Sequence, residues 1–180
     1  GGGTCFVPTG FIMGITWSEG AERCLSAAAA GDTKELLDLL RSKEVDFNVP
    51  DSRGKTAIME AADRGHEECL LQLILHGADL NHRDNRGWSA SMHAAFRGHE
   101  QCLELLIRHG AHVDSEDFLG TTPLIRAAIS GHLGCVRLLV QNGASLTKKD
   151  KSGLEAAAHA SRKGHLPCAR LLNEELAWVC

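Results

Sequence analysis

The pattern of apolar and polar positions is most regular between residues 117 and 149, where it predicts two short helices separated by a break. The first helix begins at Thr122, with Pro123 in its first turn, because a residue without an N–H leaves no donor unpaired there. Gly131 precedes the second helix, and Gly143 ends it, since Gly readily takes the positive φ that closes a helix. The apolar residues at helical spacing in the second helix are Val136, Leu138, Leu139 and Val140.

The same punctuation recurs at one constant interval along the chain. Glycines that open a tight turn stand at Gly54, Gly87, Gly120 and Gly153. Gly-His dipeptides stand at 65–66, 98–99, 131–132 and 164–165, and Gly-Ala dipeptides stand at 77–78, 110–111 and 143–144. A fixed period of this length is typical of a solenoid, in which supersecondary units stack and each buries its apolar face on the next.

Within each period the turn and the two helices carry versions of the patterns D-x-x-G-x-T-P-L and A-A-x-x-G-H, which resemble the ankyrin repeat over about residues 21–180. The resemblance implies an all-α repeat solenoid of about five repeats, in which helix-turn-helix units alternate with β-hairpin-like fingers. We expect an N-terminal arm, residues 1–18, followed by a repeat domain, residues 19–180. The expected repeats are about 19–50, 51–83, 84–116, 117–149 and 150–180.

The arm contains a mostly apolar segment, residues 5–17, that is interrupted by one Pro and two Gly. Thirteen residues are too few for a membrane-spanning helix, which needs about 20. No positively charged region precedes the segment, as one would in a signal peptide. We expect an arm that covers the first repeat or is disordered, with a partner-binding peptide as the alternative, and no membrane partner.

Composition narrows the classes of partner. The formal net charge is −4, the sequence pI is about 6.2 and aromatic residues make up 4% of the chain. Nucleic-acid-binding proteins usually present a basic surface, and those that stack bases need aromatic rings. We therefore predict no nucleic-acid partner.

Four of the seven cysteines recur at one position of the second helix, once in each successive period. Neighbouring helices pack about 8–10 Å apart, whereas a disulfide requires Cα atoms within about 7 Å of each other. We therefore expect reduced core cysteines in a cytoplasmic or nuclear protein. The four residues are Cys69, Cys102, Cys135 and Cys168.

The chain offers no recognisable catalytic or metal-binding constellation. His66-x-x-Cys69 recurs in the next three repeats, and residues three apart share one face of a helix. A structural zinc site needs four ligands at about 2.0–2.3 Å, however, and each His-Cys pair supplies only two. There is no Gly-rich phosphate loop and no nucleophile–base set outside the repeat pattern. We predict a protein that is not an enzyme and has no metal or other cofactor, and in which these histidines serve packing.

The T-P-L-H signature of the family is degraded, because its last position is Met59, Met92 and Ile125 in the three interior repeats. In ankyrin repeats, that His and the Thr help to tie neighbouring repeats by hydrogen bonds. We expect hydrophobic packing at these sites instead.

The resemblance also implies where a partner binds, because ankyrin-like stacks use a concave face made of finger tips and the exposed side of the first helices. Aromatic residues and Arg, which are common in the middle repeats at these positions, dominate the energetics of interfaces. We predict a monomeric protein-protein interaction module whose partner has an acidic surface. The alternative for some of the rings is that they fold back onto adjacent fingers. The predicted contact residues are Arg53, Lys55, Arg64, Arg86, Trp88, Phe96, Arg97, Phe118, Leu119 and Ile129.

An alternative function is inhibition of an enzyme such as a protein kinase. The size of the chain and the segment 25–32 resemble the cyclin-dependent kinase inhibitors that are built from ankyrin repeats. Those inhibitors shorten the first helix of their second repeat, whereas the interior repeats of this chain have full length. A kinase pulldown separates the two hypotheses.

Two finger residues, Asn48 and Asn81, match a modification motif. Ankyrin fingers are known substrates of the asparaginyl hydroxylase that also acts on hypoxia-inducible factor, which prefers a Leu well before the Asn and an acidic and then an apolar residue directly before it. Leu40 and Leu73 stand eight residues before the two asparagines. The alternative is that Asn only suits the finger turn, because its side chain caps local backbone groups.

Overall fold

The computed structural model describes residues 17–42 and 45–179, which form ten helices and no strand. The helices make five pairs. The first helices of the pairs are α1 (Trp17–Ala30), α3 (Ala57–Arg64), α5 (Ala90–Arg97), α7 (Pro123–Ser130) and α9 (Ala156–Lys163). The second helices are α2 (Thr33–Arg41), α4 (Glu67–Leu75), α6 (Glu100–Arg108), α8 (Leu133–Gln141) and α10 (Leu166–Val179).

Each helix pair packs as a unit and stacks on the next pair. The first helices contact one another in the order α1, α3, α5, α7, α9, and the second helices in the order α2, α4, α6, α8, α10. The molecule is therefore an all-α repeat solenoid with two layers of helices, as the constant period of the sequence predicts.

Polar caps and glycines set the ends of the first helices. The hydroxyl of Thr122 accepts a hydrogen bond from the N–H of Ile125 (3.3 Å), and that of Ser89 accepts one from the N–H of Met92 (3.4 Å). The first helices of the last four pairs each end at a Gly with positive φ, a conformation that other residues adopt only with strain. These glycines are Gly65, Gly98, Gly131 and Gly164.

The Gly-His dipeptides hold neighbouring repeats together. His99 Nε2 lies 3.2 Å from the carbonyl oxygen of Asp63, in the first helix of the preceding repeat, and His132 Nε2 lies 3.0 Å from that of Phe96. A β-carbon at Gly98 would lie 2.5 Å from His132 Nδ1, so the close approach of the ring requires Gly. These histidines thus have the packing role expected of them. The equivalent contacts join His66 to Ala29 (3.1 Å) and His165 to Ile129 (3.1 Å).

A continuous core of buried apolar side chains runs between the two helix layers. Met59, Met92 and Ile125, at the degraded signature position, are at most 1% exposed. The expectation of hydrophobic packing at this position is confirmed. Three finger residues, Leu80, Val113 and Leu146, are half-buried against the same core.

The described cysteines are part of this core. Burial raises the pKa of the Cys102 and Cys135 thiols to about 12, because a thiolate would be poorly solvated there. The expectation that the recurring cysteines lie in the core is therefore confirmed for this part of the chain. The buried cysteines with free thiols are Cys24, Cys69, Cys102, Cys135 and Cys168.

We expect iodoacetamide to leave Cys69, Cys102 and Cys135 unmodified in the native protein and to alkylate them after unfolding. The reactive species is the thiolate, which burial suppresses. Peptide mass spectrometry after treatment with and without denaturant measures both states. Rapid alkylation of all three thiols under native conditions would contradict the core assignment.

The helix α1 begins at Trp17, two residues before the predicted start of the repeat domain at residue 19. Residues 1–16, which hold the rest of the predicted arm, lie outside the described residues. Pro167 lies in the first turn of α10 and the helix continues to Val179. No helix within residues 17–42 and 45–179 is long and apolar enough to cross a membrane.

Candidate protein-binding surface

The finger tips and the adjoining ends of the first helices form a surface that we call the finger face. It comprises the tips 52–55, 85–88, 118–121 and 151–154 and the helix ends 63–64, 96–97, 129–130 and 162–163. Backbone hydrogen bonds join neighbouring tips and fix their order. The N–H groups of Asn85, Phe118 and Lys151 donate to the carbonyl oxygens of Arg53 (3.0 Å), Arg86 (3.4 Å) and Leu119 (2.9 Å), respectively.

Eight of the ten predicted contact residues reach the surface of the finger face. Phe118 and Leu119 are 59% and 60% exposed, whereas Phe96 and Ile129 are half-buried. The exposed arginines are Arg53, Arg64, Arg86 and Arg97.

The other two, Lys55 and Trp88, are only 4% and 6% exposed, so the expectation that they offer free contact surface is wrong. Lys55 turns inward because its ammonium donates hydrogen bonds to Glu60 (3.1 Å) and Asp63 (2.8 Å). Its positive charge is therefore paired with two carboxylates of the same chain.

Trp88 is buried by its neighbours, although its ring packs against its own finger and the helices α5 and α7 rather than against an adjacent finger. The guanidinium groups of Arg86 and Arg126 each lie 4.2 Å from the centre of the Trp88 ring. Phe96 meets the same ring edge-on, at 5.2 Å between ring centres. Cation–π and edge-to-face contacts of this kind favour an ordered ring. Trp88 therefore supports the surface on which Arg86 and Phe96 are displayed.

A network of charged side chains links the second and third repeats next to the Trp88 ring. Asp63 on α3 accepts hydrogen bonds from Lys55 and from Arg97 (2.7 Å), and it lies 3.6 Å from His93 Nδ1. His93, which is 1% exposed, also contacts Asp84 through Nε2 (3.1 Å). Asp63 thus binds groups from two repeats.

Hydrogen bonds control the ionisation of both carboxylates. Burial alone would raise their pKa values, but the partners of the ionised form outweigh it. Lys55, Arg97 and the adjacent His93 hold the pKa of Asp63 far below its usual range. His93 and the backbone N–H groups of residues 86 and 88 lower the pKa of Asp84 to about 2. Both groups therefore stay ionised over the whole neutral range.

The finger aspartates follow a rule that sequence analysis missed. Each accepts the backbone N–H groups two and four residues later. The signal in the sequence is an Asp followed nine residues later by His or Arg, in three successive repeats. Asp84 pairs in this way with His93 (3.1 Å), Asp117 with Arg126, and Asp150 with His159 (2.7 Å). In the second repeat the residue nine positions after Asp51 is Glu60, and Arg53 bridges the two acids.

Each exposed arginine of the finger face that was predicted to contact a partner has a carboxylate partner in the same molecule. Their charge is therefore largely balanced before any partner arrives. The pairs are Arg53 with Asp51 (3.1 Å) and Glu60 (3.1 Å), Arg64 with Glu60 (3.6 Å), Arg86 with Asp84 (3.5 Å), and Arg97 with Asp63 (2.7 Å).

Phe118 and Leu119 give the finger face its exposed apolar tip. More than half of the surface of these two adjacent side chains is exposed. The turn that carries them is fixed by Asp117, whose carboxylate accepts the N–H of Leu119 (2.8 Å). Leu75 and Leu166 are exposed to a similar degree, 64% and 67%, but they lie on second helices and not on the finger face.

Asn48 and Asn81 tie one finger to the next. The Oδ1 atom of Asn48 accepts the backbone N–H of Asp79 (3.0 Å), and that of Asn81 accepts the N–H of His112 (2.9 Å). Asp114 does the same for Ser145 (3.0 Å). The side chain at this position therefore satisfies a backbone donor of the following repeat rather than one of its own turn.

The first helix of the second repeat, α3, is eight residues long, as are α5, α7 and α9. It therefore lacks the shortening that is associated with the kinase inhibitors. In the described part of the chain, no group of three or more His, Cys, Asp or Glu side chains is arranged to hold a metal ion.

Comparison with known proteins gives matches to short segments of this chain. A 52-residue segment is 44% identical to ankyrin repeat domain-containing protein 29 from Danio rerio, over 29% of this chain and 17% of that protein. A 57-residue segment is 37% identical to potassium channel AKT2/3 from Arabidopsis thaliana, over 32% of this chain and 7% of the channel. The matched regions thus span less than a fifth of either relative.

A family model described as ankyrin repeats (3 copies) matches residues 24–117 and 116–177. These matches extend from within α1 to within α10 and so reach every helix pair of the solenoid. The chain therefore belongs to the ankyrin repeat family.

Proposed function

We propose that this chain is a non-catalytic protein-binding module that docks a partner on its finger face, with Phe118 and Leu119 as the central anchors. The observation that carries the proposal is their exposure, 59% and 60%, side by side at one tip. Exposed apolar groups with a polar rim usually mark a binding site. Arg86 and Lys151, on the two adjoining tips, supply that rim.

The partner has acidic character and is bound by a single copy of the chain in the cytoplasm or nucleus. Lys151 in the rim is an exposed cation that favours carboxylate groups on the partner, and Phe96 and Ile129 extend the apolar area along α5 and α7. Free, buried thiols fit a reducing compartment. Ankyrin repeats generally serve as protein-protein interaction modules, which agrees with this assignment.

Replacing Phe118 and Leu119 together by Ala should weaken partner binding by about tenfold or more, because the two side chains are the anchors of the contact. The measurement is proximity labelling with the wild-type and variant chains, followed by titration of the enriched partner. Thermal melting should be almost unchanged, because neither side chain is in the core.

A matched control is Leu75→Ala, which removes an equally exposed Leu from a second helix and should leave binding unchanged. Equal enrichment of the same partners by the double variant and the wild-type chain would overturn the proposal.

Asn48 and Asn81 are proposed substrates of the asparaginyl hydroxylase named above. Their side chains tie adjacent fingers, so the enzyme must first pull a finger out of the stack, which requires local opening. Incubation with the hydroxylase, iron, 2-oxoglutarate and oxygen should add one oxygen atom to each residue, detected by peptide mass spectrometry. No gain at either residue, with a control substrate fully modified, would leave both as structural ties only.

A further inference from the structure

The cations of the finger face fall into two groups. The arginines of the second and third repeats are all paired with carboxylates of the same molecule. Lys151, Arg162 and Lys163, in the fifth repeat, are also exposed, but they form no ion pair or side-chain hydrogen bond with any described residue. A partner carboxylate can therefore bind them without displacing an existing partner.

The register of the repeats explains why Lys163 is free. Arg97 pairs with Asp63, which lies on the preceding first helix. Lys163 occupies the same position as Arg97 two repeats later, and the residue that corresponds to Asp63 on the helix before it is Ile129. The acid of the second repeat has thus been replaced by an apolar residue. The same substitution that frees Lys163 therefore extends the apolar area.

The carboxylates of Asp150 and Glu155, in the fifth repeat, already have other partners. Asp150 accepts hydrogen bonds from Ser152 (2.6 Å) and contacts His159 (2.7 Å). Glu155 lies 3.5 Å from the Lys149 ammonium. Neither carboxylate forms an ion pair with Lys151, Arg162 or Lys163. We call these three residues the cationic edge, and Lys151 lies on the finger tip next to that of Phe118 and Leu119.

We propose that the partner presents an extended segment in which an apolar residue covers Phe118 and Leu119 and acidic residues farther along bind the cationic edge formed by Lys151, Arg162 and Lys163. This inference rests on the proposed function, because it specifies the occupant of the same face. Charge complementarity favours acidic residues in the partner. Because the cationic edge lies in the fifth repeat, the segment must run from the tip of Phe118 and Leu119 toward that repeat.

The spacing within the segment follows from the repeat geometry. Neighbouring helices lie about 8–10 Å apart, and an extended chain advances about 3.3 Å per residue. The acidic residues are therefore about three positions away from the apolar anchor. An acid about three positions away on the other side of the anchor would instead meet Arg86, whose guanidinium already contacts Trp88 and Asp84.

The test is selection of binders from a displayed library of random twelve-residue peptides, followed by fluorescence polarisation with the best synthetic peptide. We expect enrichment of peptides with a large apolar residue and, about three positions away, Asp or Glu. The variant R162A/K163A should bind the selected peptide about tenfold more weakly, and added salt should weaken binding to the wild-type chain.

A matched pair of variants isolates the cationic edge. Lys163→Ala and Arg170→Ala each remove an exposed cation of the fifth repeat, but Arg170 lies on the second helix α10 and not on the finger face. Only Lys163→Ala should weaken peptide binding measurably. Equal effects of the two variants would overturn the inference, and so would a library that yields no acidic binder.

The outcomes separate the inference from the proposed function on which it depends. If peptide binding is lost in F118A/L119A but unchanged in R162A/K163A, the proposed function stands and the acidic segment is wrong. If neither double variant changes the affinity for the peptide, the finger face is not the binding site and both proposals fail. Thermal melting of each variant shows that any loss does not come from unfolding.

Discussion

Replacing Trp88 by Ala should lower the free energy of unfolding by about 3–5 kcal/mol, the usual range for a buried aromatic ring. The ring is 6% exposed and lies between the guanidinium groups of Arg86 and Arg126. Its removal leaves a cavity and frees both cations from their stacking partner. Chemical denaturation followed by circular dichroism measures the change.

Phe118→Ala is the control, because it removes an aromatic ring that is 59% exposed at the neighbouring finger tip. Its effect on stability should stay within about 0.5 kcal/mol. If Trp88→Ala were as mild as Phe118→Ala, the ring would be a surface group, and its exclusion from the contact residues would be wrong.

Replacing Asp63 by Ala should lower the free energy of unfolding by about 2–3 kcal/mol, because Lys55 and Arg97 each lose a hydrogen bond to a charged acceptor in a largely buried site. The side chain of Lys55 is 6% exposed and that of His93 is 1% exposed, and both lie against Asp63. Arg97 also loses the carboxylate with which it pairs. Denaturant melts of wild type and variant give the difference.

The control is Glu116→Ala, which removes an exposed partner of Lys148 (2.6 Å). A surface pair of this kind contributes at most about 1 kcal/mol. Similar losses from Asp63→Ala and Glu116→Ala would mean that the network under the finger face adds no more than an ordinary surface ion pair.

Acidification should remove the contribution that Asp63 and Asp84 make to the free energy of unfolding. The pKa values of Asp63 and Asp84 are lower in the folded chain than in the unfolded one, so the unfolded chain binds more protons as the solution is acidified. Their contribution is fully present above the unfolded pKa, about 3.9. It is lost as the pH falls through the folded pKa, which is about 2 for Asp84. Asp63→Ala should therefore flatten the fall in stability that denaturant melts record on acidification.

The repeat architecture could be predicted because its signals are local and recur. Glycines with positive φ end the first helices, and the Gly-His dipeptides fall where one repeat must approach the next closely. Each signal is weak by itself, but the constant period aligns them. The buried cysteines were predictable for the same reason, since a position that recurs in register has the same environment in each repeat.

The side-chain network of the finger face was not predictable in the same way. Position in the repeat placed Trp88 at a surface tip, but it is buried because Arg126, on the first helix of the next repeat, covers one side of its ring. Lys55 is drawn inward by two acids on α3. Contacts between variable positions depend on which residues happen to meet, and a repeat pattern does not record that.

The most direct test of partner docking on the finger face is hydrogen exchange of the chain with and without its captured partner. We predict slower exchange at the finger tips 85–88, 118–121 and 151–154, and unchanged exchange along the second helices α4, α6 and α8. Protection confined to the second helices, with the finger tips exchanging as in the free chain, would contradict docking on this face.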